Sequence, residues 1–246
     1  LVKESNKSVF KYWHQKGSFF CTPIGVEITG WGLIRQEITS EFRETWPTWS
    51  VLFSGEENEM ELALKQFDRI RYPIDIKRDM HIIIDTWGSD FQNGDYSKYY
   101  GTENAEFAVV EKEIKSASEL GIDIVRIDVG WQEGDDWFGK NTWHPDTRKG
   151  YSRHWENAKD LSSKYGVGIG LWTAIRCISA EELLTNQKEL GVATWKFDFD
   201  HLDSWETFHG RIKGVRDFIK KSGYVTQTAW CPEYDDPRFG WYSSAR

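Results

Sequence analysis

Cysteine is scarce. Cys21, Cys177 and Cys231 are the only three in 246 residues. They are odd in number and far apart, which excludes a disulfide framework and a zinc-like ligand spacing. His81 and His144 are too isolated to build the ligand cluster of a metal-dependent barrel hydrolase. No apolar run approaches the roughly 18 residues that a membrane span requires. No block of like charges occurs either, and the net charge is -8 with a pI near 5.4. Nucleic acid and anionic membrane surfaces both need clustered Lys and Arg, so neither is expected as a partner. The opening LVKESNKSVF lacks the apolar core of a signal peptide and begins without Met, which leaves the compartment open.

Aromatic residues, by contrast, are abundant, with 14 Trp, 10 Tyr and 14 Phe. Sugars present C–H faces that stack on aromatic rings, so the excess fits a carbohydrate-handling protein. Large core side chains are the commoner reason for such rings. The length allows one large domain or two modest ones.

From about residue 80 onward one unit recurs. A helical pattern stops at a glycine and an apolar strand follows at once: SELG then IDIVRIDV, SKYG then VGIGLWT, KELG then VATWKFDF, KKSG then YVTQTAW. Gly121, Gly166, Gly191 and Gly223 stand where a helix C-terminus needs a left-handed residue. Phe107, Val110, Ile114, Ala117 and Gly121 follow the spacing of one buried helix face. Ser179 and Glu182 make a capping box ahead of the helix that ends at Gly191. A further strand, MHIIIDTW, comes first. Strands alternating with helices imply parallel β and crossover connections. A (β/α) barrel and an open doubly wound sheet both fit, although no G-x-G-x-x-G follows the first strand, which weighs against dinucleotide binding.

Residues 1 to 56 read differently. SVFKYW, GSFFCTP and VEITGWGLI are short and broken by Gly, Pro and polar residues, which suggests β structure. GEENEMELALKQFDRIRY then reads as a helix leading to the repeating part, stopped by Pro73.

In parallel α/β barrels the active site is built at the carboxyl ends of the strands. Those ends here are Asp85-Thr86-Trp87, Asp128-Val129-Gly130-Trp131, Leu171-Trp172-Thr173, Lys196-Phe197-Asp198-Phe199-Asp200 and Trp230-Cys231. Acids and tryptophans recur along one rim. On the fourth strand alternation puts Lys196, Asp198 and Asp200 on one face and Trp195, Phe197 and Phe199 on the other. A charged face must point into the barrel mouth, since helices cover the outside. Lys196 beside Asp198 favours an ionised carboxylate, as attack on an anomeric carbon requires. The alternative is a Lys–Asp ion pair that only ties the strand down. Arg126 and Asp128 share a face in the same way. Asp128 is either an acceptor for sugar hydroxyls or a structural acid paired with Arg126. Trp87, Trp131 and Trp172 either wall a sugar subsite or plug the barrel.

The run from Ile82 to Trp230 resembles the catalytic barrel of the α-galactosidases of glycoside hydrolase clan D, closest to family 36. IIIDTWGSDF, LGIDIVRIDVGWQ, YGVGIGLWT and LGVATWKFDFD, in that order, carry the resemblance. It implies a (β/α)8 TIM barrel, here truncated after about five strands at 76–246. It also implies that residues 1–75 are the C-terminal part of a β-sandwich plus a linking helix. Asp198, in the family's Lys-x-Asp motif, would be the nucleophile that forms a covalent glycosyl-enzyme. The expected substrate-binding set is Trp87, Asp128, Trp131, Trp172, Lys196, Asp200, Trp230, Cys231 and Arg246. The implied activity is retaining hydrolysis of terminal α-D-galactosyl or closely related residues from oligosaccharides or glycosides, without metal or organic cofactor.

Two departures bear on specificity. Val129 stands where the family's Asp-Asp-Gly-Trp motif has its second acid, and Thr173-Ala174-Ile175-Arg176 replaces the acids that follow the third-strand tryptophan. A retaining enzyme also needs a second carboxylate about 5 Å from the first to protonate the leaving oxygen. In the family that acid lies on the sixth strand, so it is expected beyond Arg246, with Asp235 and Asp236 as the late candidates within the chain. A raffinose-synthase-like galactosyl transferase and a non-catalytic sugar-binding relative are the alternatives.

Overall fold

The computed structural model describes residues 18–29, 51–71, 73–87, 102–134, 142–175, 177–198, 205–223 and 225–230. Strands β1 (Ser18–Thr22) and β2 (Gly25–Thr29) pair antiparallel across a two-residue turn. Helices α1 (Glu57–Arg71) and α2 (Ile76–Asp79) follow. The repeating part then runs β3 (Ile83–Asp85), α3 (Phe107–Leu120), β4 (Ile124–Ile127), a small antiparallel pair β5 (Gln132–Glu133) and β6 (Thr142–Pro145), and α4 (Glu156–Tyr165). It continues with β7 (Gly168–Ala174), α5 (Ala180–Leu190), β8 (Thr194–Asp198), α6 (Trp205–Lys221) and β9 (Gln227–Trp230). None of the described helices is long and apolar enough to cross a membrane.

β3, β4, β7, β8 and β9 form one parallel sheet in chain order. A doubly wound sheet reverses its order at a switch point, whereas a barrel wall adds each strand beside the last. The sheet curls, and its five strands with their helices are an arc of a TIM barrel, whose closed wall has eight. The glycines end their helices as expected. Gly121, Gly166 and Gly191 are left-handed, and each N–H returns to a carbonyl of the last turn. The Ser179–Glu182 capping box is present in both directions. The first strand is shorter than its apolar run, and the β5–β6 pair was not anticipated.

The two faces of the sheet differ as alternation requires. Trp195 and Phe197 of β8 are fully buried and stack at 6.3 Å, with Trp195 edge-on to Phe218 of α6 at 6.2 Å. Val125, Ile127, Ile169 and Leu171 fill the same layer in register with them. Each such side chain stabilises the fold by roughly 1.5–3 kcal/mol on burial. The opposite face carries Asp85, Arg126, Lys196 and Asp198. Gly170 lies between Arg126 and Thr194 in register. A Cβ there would come within 2.4 Å of Thr194 Cγ2 and 2.9 Å of the Thr194 carbonyl oxygen, so the close approach of β8 requires glycine.

Candidate active site

The polar residues at the carboxyl ends of β3, β4 and β8 form one chain of alternating charge. Arg126 Nε donates to Asp85 Oδ2 at 2.7 Å. The same Asp85 oxygen is 3.8 Å from Lys196 Nζ, and Lys196 Nζ donates to Asp128 Oδ2 at 2.6 Å. Asp128 Oδ1 accepts from the Val129 N–H at 2.8 Å, and the Asp128 N–H donates to Thr86 Oγ1 at 2.9 Å. Asp85 Oδ1 accepts from the Trp87 N–H at 3.0 Å. Lys196 Nζ lies 6.0 Å from the centre of the half-buried Trp87 ring, within cation–π range.

Burial and the Asp85 carboxylate push the Asp128 carboxyl up, to about 7, against the pull of the Lys196 ammonium and the Val129 N–H. The 2.6 Å contact strongly favours the charged pair. Desolvation is the opposing force, because both partners are almost out of water.

Asp198 ends β8, half-buried, and its Oδ2 accepts from Trp172 Nε1 at 3.0 Å. Trp172 is held in turn. Its carbonyl accepts from Trp131 Nε1 at 2.9 Å, and its ring lies 6.2 Å from that of Trp143. Trp131 packs on Trp143 at 6.0 Å and on Trp155 at 5.3 Å. Trp143 Nε1 donates to the Cys177 carbonyl at 3.2 Å, and Trp155 Nε1 to Asn186 Oδ1 at 2.9 Å. Asn186 Nδ2 closes the array on the Trp143 and Glu182 carbonyls. Trp155 also has φ +65°, which a bulky residue adopts only where burial and hydrogen bonding hold it. Four buried indoles, each with its N–H engaged, therefore support the carboxylate from below.

The structure thus brings Trp87, Asp128, Lys196 and Asp198 to one mouth, with the buried Trp172 holding Asp198 from the core. Trp131 is elsewhere: it has no exposed surface and takes the plugging position beneath Trp172. The Lys196 ammonium pairs with Asp128 and lies near Asp85, and the Arg126 guanidinium pairs with Asp85. The alternative of a structural Arg126–Asp128 pair is therefore corrected. Neighbouring same-face residues on a strand are separated by about 6.6 Å, and a long lysine side chain spans two strand spacings as readily. Trp230 pairs in register with Phe197, and its side chain is not among those described. Asp200, Cys231, Asp235, Asp236 and Arg246 lie outside the described residues.

Asp85, Thr86 and Asn186 were missed as site residues. The strand-end acid Asp85 was visible, but its place between two cations depends on register across strands. Among the described residues no group of three or more His, Cys, Asp or Glu is placed to hold a metal ion.

No protein-family model matches this sequence, and no curated protein matches it. Solved structures do. A substituted form of the family 36 α-galactosidase AgaA of Geobacillus stearothermophilus, in complex with stachyose, aligns with TM-score 0.55 and 16% identity. The alignment covers 75% of this chain and 33% of that one. The same enzyme without those substitutions aligns with TM-score 0.53 and 16% identity, over 71% of this chain and 31% of its own. A form in complex with raffinose gives TM-score 0.52 at the same identity. The chain thus spans about a third of the length of these structures. At that identity the likeness is one of fold.

Proposed function

We propose that this chain carries the nucleophile half of a retaining glycoside hydrolase that cleaves terminal α-D-galactosyl or closely related residues. The observation that carries the reading is the Asp198 carboxylate at the carboxyl end of a barrel strand, fixed by the Trp172 indole N–H at 3.0 Å beside the Lys196–Asp128 pair. In the first step Asp198 attacks the anomeric carbon, the glycosidic C–O bond breaks, and a glycosyl ester forms on Asp198. Water then cleaves that ester with net retention. A second carboxylate protonates the leaving oxygen and later activates the water, and we place it outside the described residues. Trp87 and Lys196 would position the sugar, with Trp172 holding Asp198 from the core and Asp200, Trp230, Cys231 and Arg246 completing the subsite. We also assign residues 1–75 to the end of a β-sandwich with its linking helix. The β1–β2 pair and α1 support that assignment.

An activated galactosyl fluoride with a fluorine at C5 tests the nucleophile directly. Its fluoride leaves without protonation, so the reaction with Asp198 does not depend on the second carboxylate. The expected result is a glycosyl adduct on the peptide that contains Asp198. An adduct on another residue, or an Asp198→Ala variant that cleaves aryl galactosides as fast as its parent, overturns the reading.

A further inference from the structure

The acid that Val129 does not supply has a substitute on a different strand. Asp85 and Asp128 both face Lys196, and each accepts two hydrogen bonds, but they differ in access. The Asp128 side chain is 4% exposed and sits behind Lys196, whereas the Asp85 side chain is 21% exposed. Asp85 is also held in a fixed orientation. Arg126 Nε holds one oxygen and the Trp87 N–H the other, and Trp87 is itself part of the rim.

An ionised carboxylate offers about four acceptor positions. Two of those on Asp85 are used by the two donors within hydrogen-bond range. The remaining lone pairs belong to the more exposed carboxylate, at the carboxyl end of β3, beside a half-buried tryptophan ring and a lysine ammonium. That surrounding matches a sugar ring with adjacent hydroxyls. The hydroxyl hydrogens meet the carboxylate, a hydroxyl oxygen meets the ammonium, and the C–H face meets the indole.

We infer that Asp85 is the specificity-determining acid of this subsite, accepting a hydrogen bond from a sugar hydroxyl, while Asp128 supports Lys196 from behind. The two acids thereby divide the work that an adjacent pair on β4 would share. The inference rests on the sugar-handling reading above, but it does not require the chain to be catalytic.

The test is calorimetric titration of the chain and of Asp85→Asn with galactose and with its 2-, 3-, 4- and 6-deoxy forms. The expected result is a loss in galactose affinity of roughly tenfold to a hundredfold in the variant, the range for a hydrogen bond to a charged group. The deoxy form that lacks the partnered hydroxyl should bind parent and variant alike, which also shows that the variant is folded. If Asp85→Asn does not fold, Asp85→Glu keeps the charge between Arg126 and Lys196 and displaces the oxygens by one methylene. The same sugar-selective loss is expected of it.

An equal loss for all five sugars, or no loss, overturns the assignment of Asp85 and leaves the sugar-binding reading standing. A parent chain that binds none of them overturns both. A parent that binds with the expected pattern yet never cleaves a glycoside leaves Asp85 in place and removes only the hydrolase reading.

Discussion

Strand β4 is flanked by two aspartates that do different work. Asp123 lies just before the strand with its side chain 48% exposed, and its Oδ2 accepts from the Ile82 backbone N–H at 2.7 Å. Asp128 lies just after the strand, 4% exposed, with its charge against Lys196. The pattern extends along both ends of the sheet. At the amino ends polar side chains satisfy nearby backbone groups: Ser162 Oγ donates to the Val167 carbonyl, Ser118 Oγ to the Tyr165 carbonyl, and Gln187 Nε2 to the Val192 carbonyl. At the carboxyl ends charged side chains engage one another across strands. The first arrangement secures connections at little electrostatic cost. The second gathers desolvated charge across three strands, the arrangement from which the proposed function is argued.

The largest difference between the ends should appear in catalysis. Asp198→Ala is expected to lower turnover of an aryl α-galactoside by about a thousandfold or more, because the covalent step is lost. Unfolding should shift by about 1.5–3 kcal/mol, the range for a hydrogen bond to a charged group. Azide should restore cleavage and give a galactosyl azide of inverted configuration. A variant that keeps parental turnover would remove the nucleophile from this end of the sheet. Next in size is Lys196→Met. It leaves the buried Asp128 carboxyl without its ammonium, so urea unfolding above pH 7, where Asp128 would have to ionise unpaired, should show a loss of about 3–5 kcal/mol. A loss below about 1 kcal/mol would mean that water reaches the pair.

The same contrast has a pH signature. Because the folded Asp128 carboxyl is raised from 3.8 to about 7, the folded state binds its proton more tightly than the unfolded chain does. The stability this group contributes is fully present below its unfolded value and is lost as pH rises through about 7. The stability of the parent minus that of Asp128→Asn should therefore fall between about pH 4 and pH 7, by about 1.4 kcal/mol per unit at the steepest. Above that range it should be level. Urea midpoints across the range measure it, and a level difference throughout would mean that Lys196 keeps Asp128 ionised.

Much of this was legible in the sequence because it depends on local period. Helix ends at Gly121, Gly166 and Gly191, the Ser179–Glu182 cap, and the division of β8 into aromatic and charged faces all follow from spacing along one segment. What spacing cannot show is who meets whom across strands. Lys196 and Asp128 lie 68 residues apart, and Asp85 and Arg126 lie 41 apart. These pairings come from register across the sheet. Trp131 and Trp172 were ambiguous for another reason. A large ring at a strand end suits both a wall and a plug, and burial puts both of these rings in the core.

Trp131→Phe separates support from contact at the carboxyl end. The substitution removes the N–H that binds the Trp172 carbonyl and leaves a gap beside Trp143 and Trp155. The expected cost is about 2–3 kcal/mol in unfolding. If the indole array positions Asp198 through Trp172, kcat should fall with KM little changed. A rise in KM alone would place Trp131 in the subsite instead.

The smallest effect belongs to the amino end. Asp123→Ala deletes the acceptor of the Ile82 N–H, and the exposed position lets water take over that donor. The expected loss is about 1 kcal/mol in urea unfolding, with turnover and sugar affinity unchanged, since nothing at this end faces the mouth. Should Asp123→Ala reduce turnover as Lys196→Met does, the two ends of β4 would be coupled through the strand, and the division of labour between them would not hold.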